Sequence, residues 1–336
     1  KKKKTKKQHY VPQSYLKAWA IPGTYQVHVY DKKTDNERVN SINDIASENC
    51  FYDINPNEIF SKEFLAALKV EGLSWDSDEL SQGIEHTFAN EVEGDFANIL
   101  KEIIGKATSA TPWIIENCYF ISEDKKGMLS AYLAIQYIRI KQVRNRIIDS
   151  ADCLVQALKD MGASDEVIGK YAISKNDSKN IQAQMLMDLK SLSDLAISFL
   201  SLTWILCINQ TKKKLYTSDS PIGTHAHVDH PIMSMNGLKS KGVEVFFPIS
   251  PECILVMFDG SYHFQNAHLE RRYVLLDNEA YIDYYNSLCA MQSERCVFSS
   301  DGDFALLEEM KENNPQIFSQ PHTQMNWGGK TYFPTT

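Results

Sequence analysis

The stretch "LAISFLSLTWILCINQTKKKLYTSDSP" (195–221) divides the chain into two unlike parts. Its first fourteen residues, 195–208, form the longest apolar run, broken by Ser198, Ser201 and Thr203. That run is too short to cross a bilayer and reads as a buried helix. Beyond Gln210 the pattern changes. "KLYTSD", "GVEVFFPI", "ECILVMFD" and "RCVFSS" are short β-type runs parted by Pro, Gly and Asp turns, with a helix expected over 279–293 before the last of them.

Upstream of the division the chain is mainly helical. Leu80, Ile84, Phe88, Val92, Phe96, Ile99 and Ile103 carry a helical period over 79–105; similar periods occupy 125–149, 152–174 and 178–209. Pro12 suits a first helical position, and Tyr15, Leu16 and Trp19 then share one face. "YQVHVYD" (25–31) alternates as a strand does, and "INDIASENCFYD" (42–53) reads as a short helix running into extended chain. The fold class expected is α+β, a mainly helical body with a small, mostly antiparallel sheet contributed by the N-terminal strand and the C-terminal third. No stretch resembles a linker, so residues 8–336 are expected to form one domain, with a split near 210 as the alternative. "KKKKTKK" (1–7) reads as a flexible basic arm.

The 336 residues are 43% hydrophobic and 23% charged, which is the balance of a soluble globular protein. A formal charge of −8 means that the surface as a whole does not attract nucleic acid or anionic lipid. Seven cysteines, an odd number with no CxxC pair, point to reduced thiols and a cytoplasmic setting. The leading lysines run into "QHYVPQSYL" rather than an apolar segment, so no signal peptide and no membrane partner are expected.

Several polar groups are misplaced for a purely structural chain. Helical spacing puts Glu85 inside an apolar stripe and Glu93 at its edge, where an ionised carboxylate is costly unless paired. In "LSAYLAIQYIRIKQVRNRII" (129–148), Gln136 and Arg139 share a stripe with Tyr132, Val143 and Arg146 on a helix that is apolar on most sides. An inward Arg139 wants a carboxylate, with Glu85 as the plain solution, or a ligand's phosphate. Gln8 and His9 precede a helix start, a favourable place for an anion. Ser218 and Asp219 lie where a strand enters a turn before Pro221; that pattern commonly folds back on backbone amides, and loops after strands also carry catalytic side chains.

In this order the motifs resemble a largely bacterial family, domain-of-unknown-function family 4238. The likeness rests on "QHYVPQSYLKAWA", "VHVYDK", "ENCFYD", "GIEHTFANEVEGDFANIL", "LAIQYIR", "LTWILC…LYTSDSP", "FFPISPECIL" and "YNSLCAMQSERCVFSS", which span residues 8 to about 300. No family pattern covers 152–200 or 223–242. The resemblance implies recurring polar positions at Gln8, His9, Glu85, Glu93, Gln136, Arg139, Ser218 and Asp219, the residues already singled out. It implies no settled reaction; an association of some members with bacterial defence against mobile elements tilts the expectation toward nucleic acid or nucleotide chemistry.

"GTHAHVDHP" (223–231) spells H-x-H-x-D-H, a zinc signature of metallo-β-lactamase-type hydrolases. Its place counts against that reading. It follows a helical half instead of an early hydrophobic strand, only isolated His263 and His268 come later, and it lies where no family pattern matches. It reads as an exposed polar loop.

The expectation is therefore an enzyme acting on a phosphate-containing substrate, a nucleic acid or nucleotide. His9, Glu85, Glu93 and Asp219 would be its acids, bases or ligands, and Gln8, Gln136, Arg139 and Ser218 its substrate contacts. No metal ligands are assigned, and a divalent ion is the cofactor candidate. A non-catalytic sensor or interaction module is the first alternative. A zinc hydrolase using His225, His227, Asp229 and His230 is the second.

Overall fold

The computed structural model describes residues 5–70, 80–230, 234–319 and 323–335, so residues 1–4 of the basic arm lie outside the described residues. The rest of the arm is tied down: Thr5 bonds Gln82, and Lys7 opens strand β1 (Lys7–His9) and pairs with Asp44. Helix α1 (Gln13–Leu16) follows and tightens into a 3-10 turn over Lys17–Trp19. Strands β2 (Gln26–Asp31) and β3 (Asn36–Ser41) form a hairpin, and β4 (Ser47–Asn49) returns to pair with β1. The short helix expected at the start of 42–53 is instead a turn, and the extended piece after it is β4, paired with β1.

The helical body comprises α2 (Pro56–Ile59), α3 (Lys62–Val70), α4 (Gly83–Thr87), a π-helical turn over Phe88–Val92, α5 (Glu93–Thr108), α6 (Pro112–Asn117) and α7 (Glu123–Arg139). It continues with α8 (Lys141–Asp160), α9 (Asp165–Tyr171), α10 (Lys175–Met187) and α11 (Leu189–Leu200). The period over 125–149 belongs to two helices, because Ile140 is extended (φ −73°, ψ 156°) and redirects the chain after Arg139. The expected helix over 195–208 also breaks. It stops at Leu200, and strand β5 (Thr203–Asn209) takes the rest. A strand covered on both faces is apolar at every position, so "TWILCIN" has no alternation to betray it.

Strands β6 (Thr217–Ser218), β7 (Gly223–Ala226), β8 (Val243–Ser250), β9 (Cys253–Phe258) and β10 (Arg272–Leu276) lead to helix α12 (Glu279–Gln292). Strand β11 (Cys296–Ser299), helix α13 (Ala305–Asn313) and the hairpin β12 (Met325–Trp327)–β13 (Lys330–Tyr332) complete the described chain. There are two main sheets rather than one. The order β10-β5-β9-β8-β7 is antiparallel except for β10 beside β5; β3-β2-β11-β6 is antiparallel and joins the N-terminal hairpin to the C-terminal third. A hydrophobic core reaches from Tyr10 to Leu307 and draws on both sheets and the helices, with Trp19, Trp204, Phe199 and Phe247 almost wholly buried. Among the described residues no helix is long and apolar enough to cross a membrane.

One cross-strand pair shows how tightly the sheet is built. Gly223 on β7 stands opposite Phe246 on β8, and a Cβ added there would lie 2.1 Å from the phenyl Cζ. Phe246 is itself buried and has nowhere to swing. Gly223→Ala is expected to destabilise the protein by about 1–3 kcal/mol through overpacking, read as a lower urea midpoint at unchanged m-value.

Candidate functional site

The N-terminal strand sets the site. Its alternation turns Gln8 inward, where the side-chain amide donates to Asp53 Oδ1 (2.6 Å) and to the Thr5 carbonyl (3.2 Å) while Oε1 accepts from the Tyr52 N–H (2.6 Å). Gln8 therefore pins β1 to the "ENCFYD" segment. His9 turns to the other side and is half-buried, with the Gln13 amide 3.3 Å from its ring nitrogens. Helix α1 spans only four residues and has no side-chain cap, so it presents a weak dipole to an anion.

Helix α7 holds this strand from beneath. Gln136 donates to the Tyr10 carbonyl (3.0 Å), and Arg139, one turn on, donates through Nη2 to the His9 carbonyl (2.6 Å). The i, i+3 spacing thus grips two successive carbonyls, the last of the strand and the first beyond it. The same Nη2 meets Glu93 Oε1 at 2.9 Å, Nε donates to the Tyr52 hydroxyl at 3.0 Å, and the guanidinium carbon sits 4.3 Å from the centre of the Phe88 ring. Arg139 is fully buried, whereas Glu93 reaches solvent. The counter-charge is therefore Glu93 rather than Glu85.

Local sequence explains the arrangement. Arg139 ends α7, the helix end that favours a cation, whereas Glu93 lies inside a helix that runs on from the π turn over Phe88–Val92. Residues eight apart in an α-helix are offset by about 80°. The wider π turn over Phe88–Val92 lowers the rotation per residue and brings Glu93 nearer the face that carries Glu85. Burial pushes the Glu85 carboxyl up to about 7; Arg139 opposes the shift, and Glu93 and Asp53 add to it. Burial likewise pushes His9 below the ordinary histidine value, against a backbone hydrogen bond at Asn43 and the Glu93 charge. The Glu85 carboxyl thus holds its proton near neutrality, while the His9 imidazole gives its proton up early; both feel the charges of Glu93 and Arg139.

Ser218 and Asp219 do not join this group. Asp219 is buried and accepts three backbone N–H groups, from Glu294 through Oδ1 and from Arg295 and Cys296 through Oδ2, each at 2.9 Å. Loss of water pushes its carboxyl up to about 6 despite those bonds. Ser218 Oγ accepts from the Ser220 N–H at 3.1 Å. Both residues fasten β6 and its turn to the segment entering β11. Beside this wall lies a cleft of about 890 Å³, bordered by Tyr10, Lys32, Arg38, Lys141, Asp219 and Arg295; His9, Glu85, Glu93 and Arg139 are not among the residues that line it. Acidic residues line it too, among them Asp35, Asp44, Glu48 and Glu294.

The histidine motif is split by the fold. His227 Nε2 stands 2.6 Å from Glu244 Oε2, which also accepts from the Tyr284 hydroxyl (3.2 Å), and the His227 ring lies edge-on to His225 and His263 at 4.9 and 4.8 Å. Among the described residues no group of three or more His, Cys, Asp or Glu is placed to hold a metal ion.

A family model described as "Protein of unknown function (DUF4238)" matches residues 7–303. The chain belongs to this family. No curated protein and no solved structure matches it. In this DUF4238 chain the match begins at Lys7, the first residue of β1, and so takes in the strand on which the site is built.

Sequence reasoning missed Tyr52, Asp53 and Asp31. Tyr52 bridges Arg139 by accepting at its hydroxyl and donating back to the Arg139 carbonyl (3.2 Å). Asp31 is buried under Arg295, which is bidentate at 2.9 and 2.7 Å, and Arg38 at 2.9 Å; the two cations outweigh burial and hold it well below the usual carboxylate range. The one available signal was an aspartate ending an apolar strand. It names no partner.

Proposed function

We propose that this DUF4238 chain is an enzyme of acid–base chemistry on a phosphate-bearing substrate, a nucleotide or nucleic acid. The observation that supports the reading is the convergence of His9, Glu85 and Glu93 around one buried arginine. Arg139, Gln136 and Gln8 act as positioning residues, because their bonds run to the protein itself. Glu85, carrying a proton at neutral pH, is the general acid; His9, neutral there, is the base. Glu93, tied to Arg139, keeps the guanidinium paired and orients the pair. The neighbouring cleft supports the substrate class: Lys32, Lys33, Arg38, Lys141, Arg295 and Lys311 line it, although Arg38 and Arg295 are paired with Asp31, Lys141 with Glu48 and Lys311 with Asp35, and its volume suits a nucleotide-sized ligand. The association with defence against mobile elements implied by the family resemblance makes nucleic acid the first substrate to try.

The test is turnover of nucleotides and short oligonucleotides by the wild-type chain, Glu85→Gln and His9→Gln. Each variant is expected to lose about 100-fold or more in kcat while its melting temperature stays close to wild type. The wild-type rate falls as pH rises past about 7, where Glu85 loses its proton, and Glu85→Gln lacks that limb. Full activity in Glu85→Gln overturns the assignment.

A second reading is favoured by a separate observation: Arg139 and Asp219 are both bonded to the protein rather than offered to a ligand. On that reading the polar groups specify the fold and the cleft only binds, as in a sensor or interaction module. Saturable binding without product in the same assay selects it.

A further inference from the structure

A second concavity, of about 530 Å³, lies away from the site above, between α8 and α9. Val143, Ile147, Ala151 and Leu154 recur at helical spacing along one face of α8, and Tyr171 and Ile173 face them. This groove is apolar except for Ser150, for Arg146, and for Lys170, which is paired with Glu166.

Arg146 is unlike the other arginines. Of the chain's seven, Arg38, Arg139, Arg144, Arg271, Arg272 and Arg295 all donate side-chain hydrogen bonds within the protein. Arg146 has none among the described residues, and its Nε is buried without a partner. A guanidinium that donates to nothing in the protein leaves its charge to be matched by an anion in the groove that it lines. Its charge also acts on Asp149, one turn along α8, but apolar walls beside a cation that bonds no other side chain are complementary to a particular kind of molecule.

We propose that this groove binds a small amphipathic carboxylate, its apolar chain along Val143, Ile147 and Leu154 and its head on Arg146. The ligand class follows from charge complementarity: a neutral chain leaves the guanidinium charge unmatched, and a polar anion leaves the walls wet. The site is independent of the acid–base reading, since His9, Glu85 and Arg139 are not among the residues that line the groove.

Titration calorimetry of the full chain with decanoate and with decan-1-ol, both below aggregation, tests it. Decanoate is expected to bind saturably at one site. Arg146→Gln should weaken decanoate on the order of tenfold while leaving decan-1-ol unchanged. Its melting temperature should hold, because no protein hydrogen bond is lost. Ile173→Asp, outside both helices, should repel decanoate by setting a negative charge against the groove. Equal decanoate binding by wild type and Arg146→Gln overturns the proposal, as does the absence of saturable binding. Concentration-dependent dimerisation that decanoate does not displace and Ile173→Asp abolishes also overturns it, since the groove is then covered by a second copy of the chain.

Discussion

Arg139→Ala is expected to lower the stability of the folded chain by about 3–5 kcal/mol, the range found when one partner of a buried ion pair is removed. The guanidinium fills a fully buried volume against Phe88 and Tyr52. Without it, the His9 carbonyl and the Tyr52 hydroxyl each lose a hydrogen-bond partner, and a cavity opens beneath the N-terminal strand. Arg139→Lys is expected to fare little better, because an ammonium cannot reach three partners in one plane. Glu93→Gln gives a milder and more informative result. It removes the like charge that helps push Glu85 up and leaves Glu85 as the carboxylate facing Arg139, so the Glu85 titration moves down from about 7. Urea denaturation reads the first effect, and carboxyl resonances followed through pH read the second. If Arg139→Ala melts with the wild type, the arginine is not the keystone described here and its role as a ligand contact becomes the better account.

The elements that the sequence disclosed and those that it hid differ for physical reasons. The helix of Phe96, Ile99 and Ile103 and the strands "GVEVFFPI" and "ECILVMFD" have clear periods or long β-type runs bounded by turns, so their type could be read directly. β5 could not, because burial on both faces makes helix and strand look alike at that length. β1 and β4 are three residues each and exist by pairing with one another across some forty positions, which no local pattern records. The same division runs through the site. Glu85 and Arg139 could be singled out as charges on apolar faces, since desolvation is a local property. Which carboxylate meets Arg139 could not, because the π turn that swings Glu93 round is a tertiary outcome. Asp219 carried two meanings in "TSDSP": a turn that folds back on amides and a catalytic loop. The three N–H groups that it accepts come from residues 294–296, far along the chain.

Those three bonds make Asp219→Ala the second large expected loss, about 3–5 kcal/mol at neutral pH. Each buried N–H left without an acceptor costs about 1–3 kcal/mol, and the relaxation of the turn recovers part of the sum. The pH dependence then separates the carboxyl from the turn. Its folded-state value, about 6, lies above the ordinary aspartate value of 3.8, so folding takes up protons here. The stabilisation linked to that shift is complete below about pH 4, is lost as pH rises through about 6, and is flat above. A shift of about two units in a fully buried group corresponds to about 3 kcal/mol. Asp31 and Glu85 titrate identically in wild type and variant, so the gap between the two stability curves isolates Asp219. That gap should be widest near pH 4 and narrow toward pH 7. A gap that stays constant means that the carboxyl is ionised throughout, held by its three donors more firmly than burial opposes. A variant that keeps wild-type stability at every pH yet loses turnover returns Asp219 to the chemistry, and makes the turn a platform for it rather than its purpose.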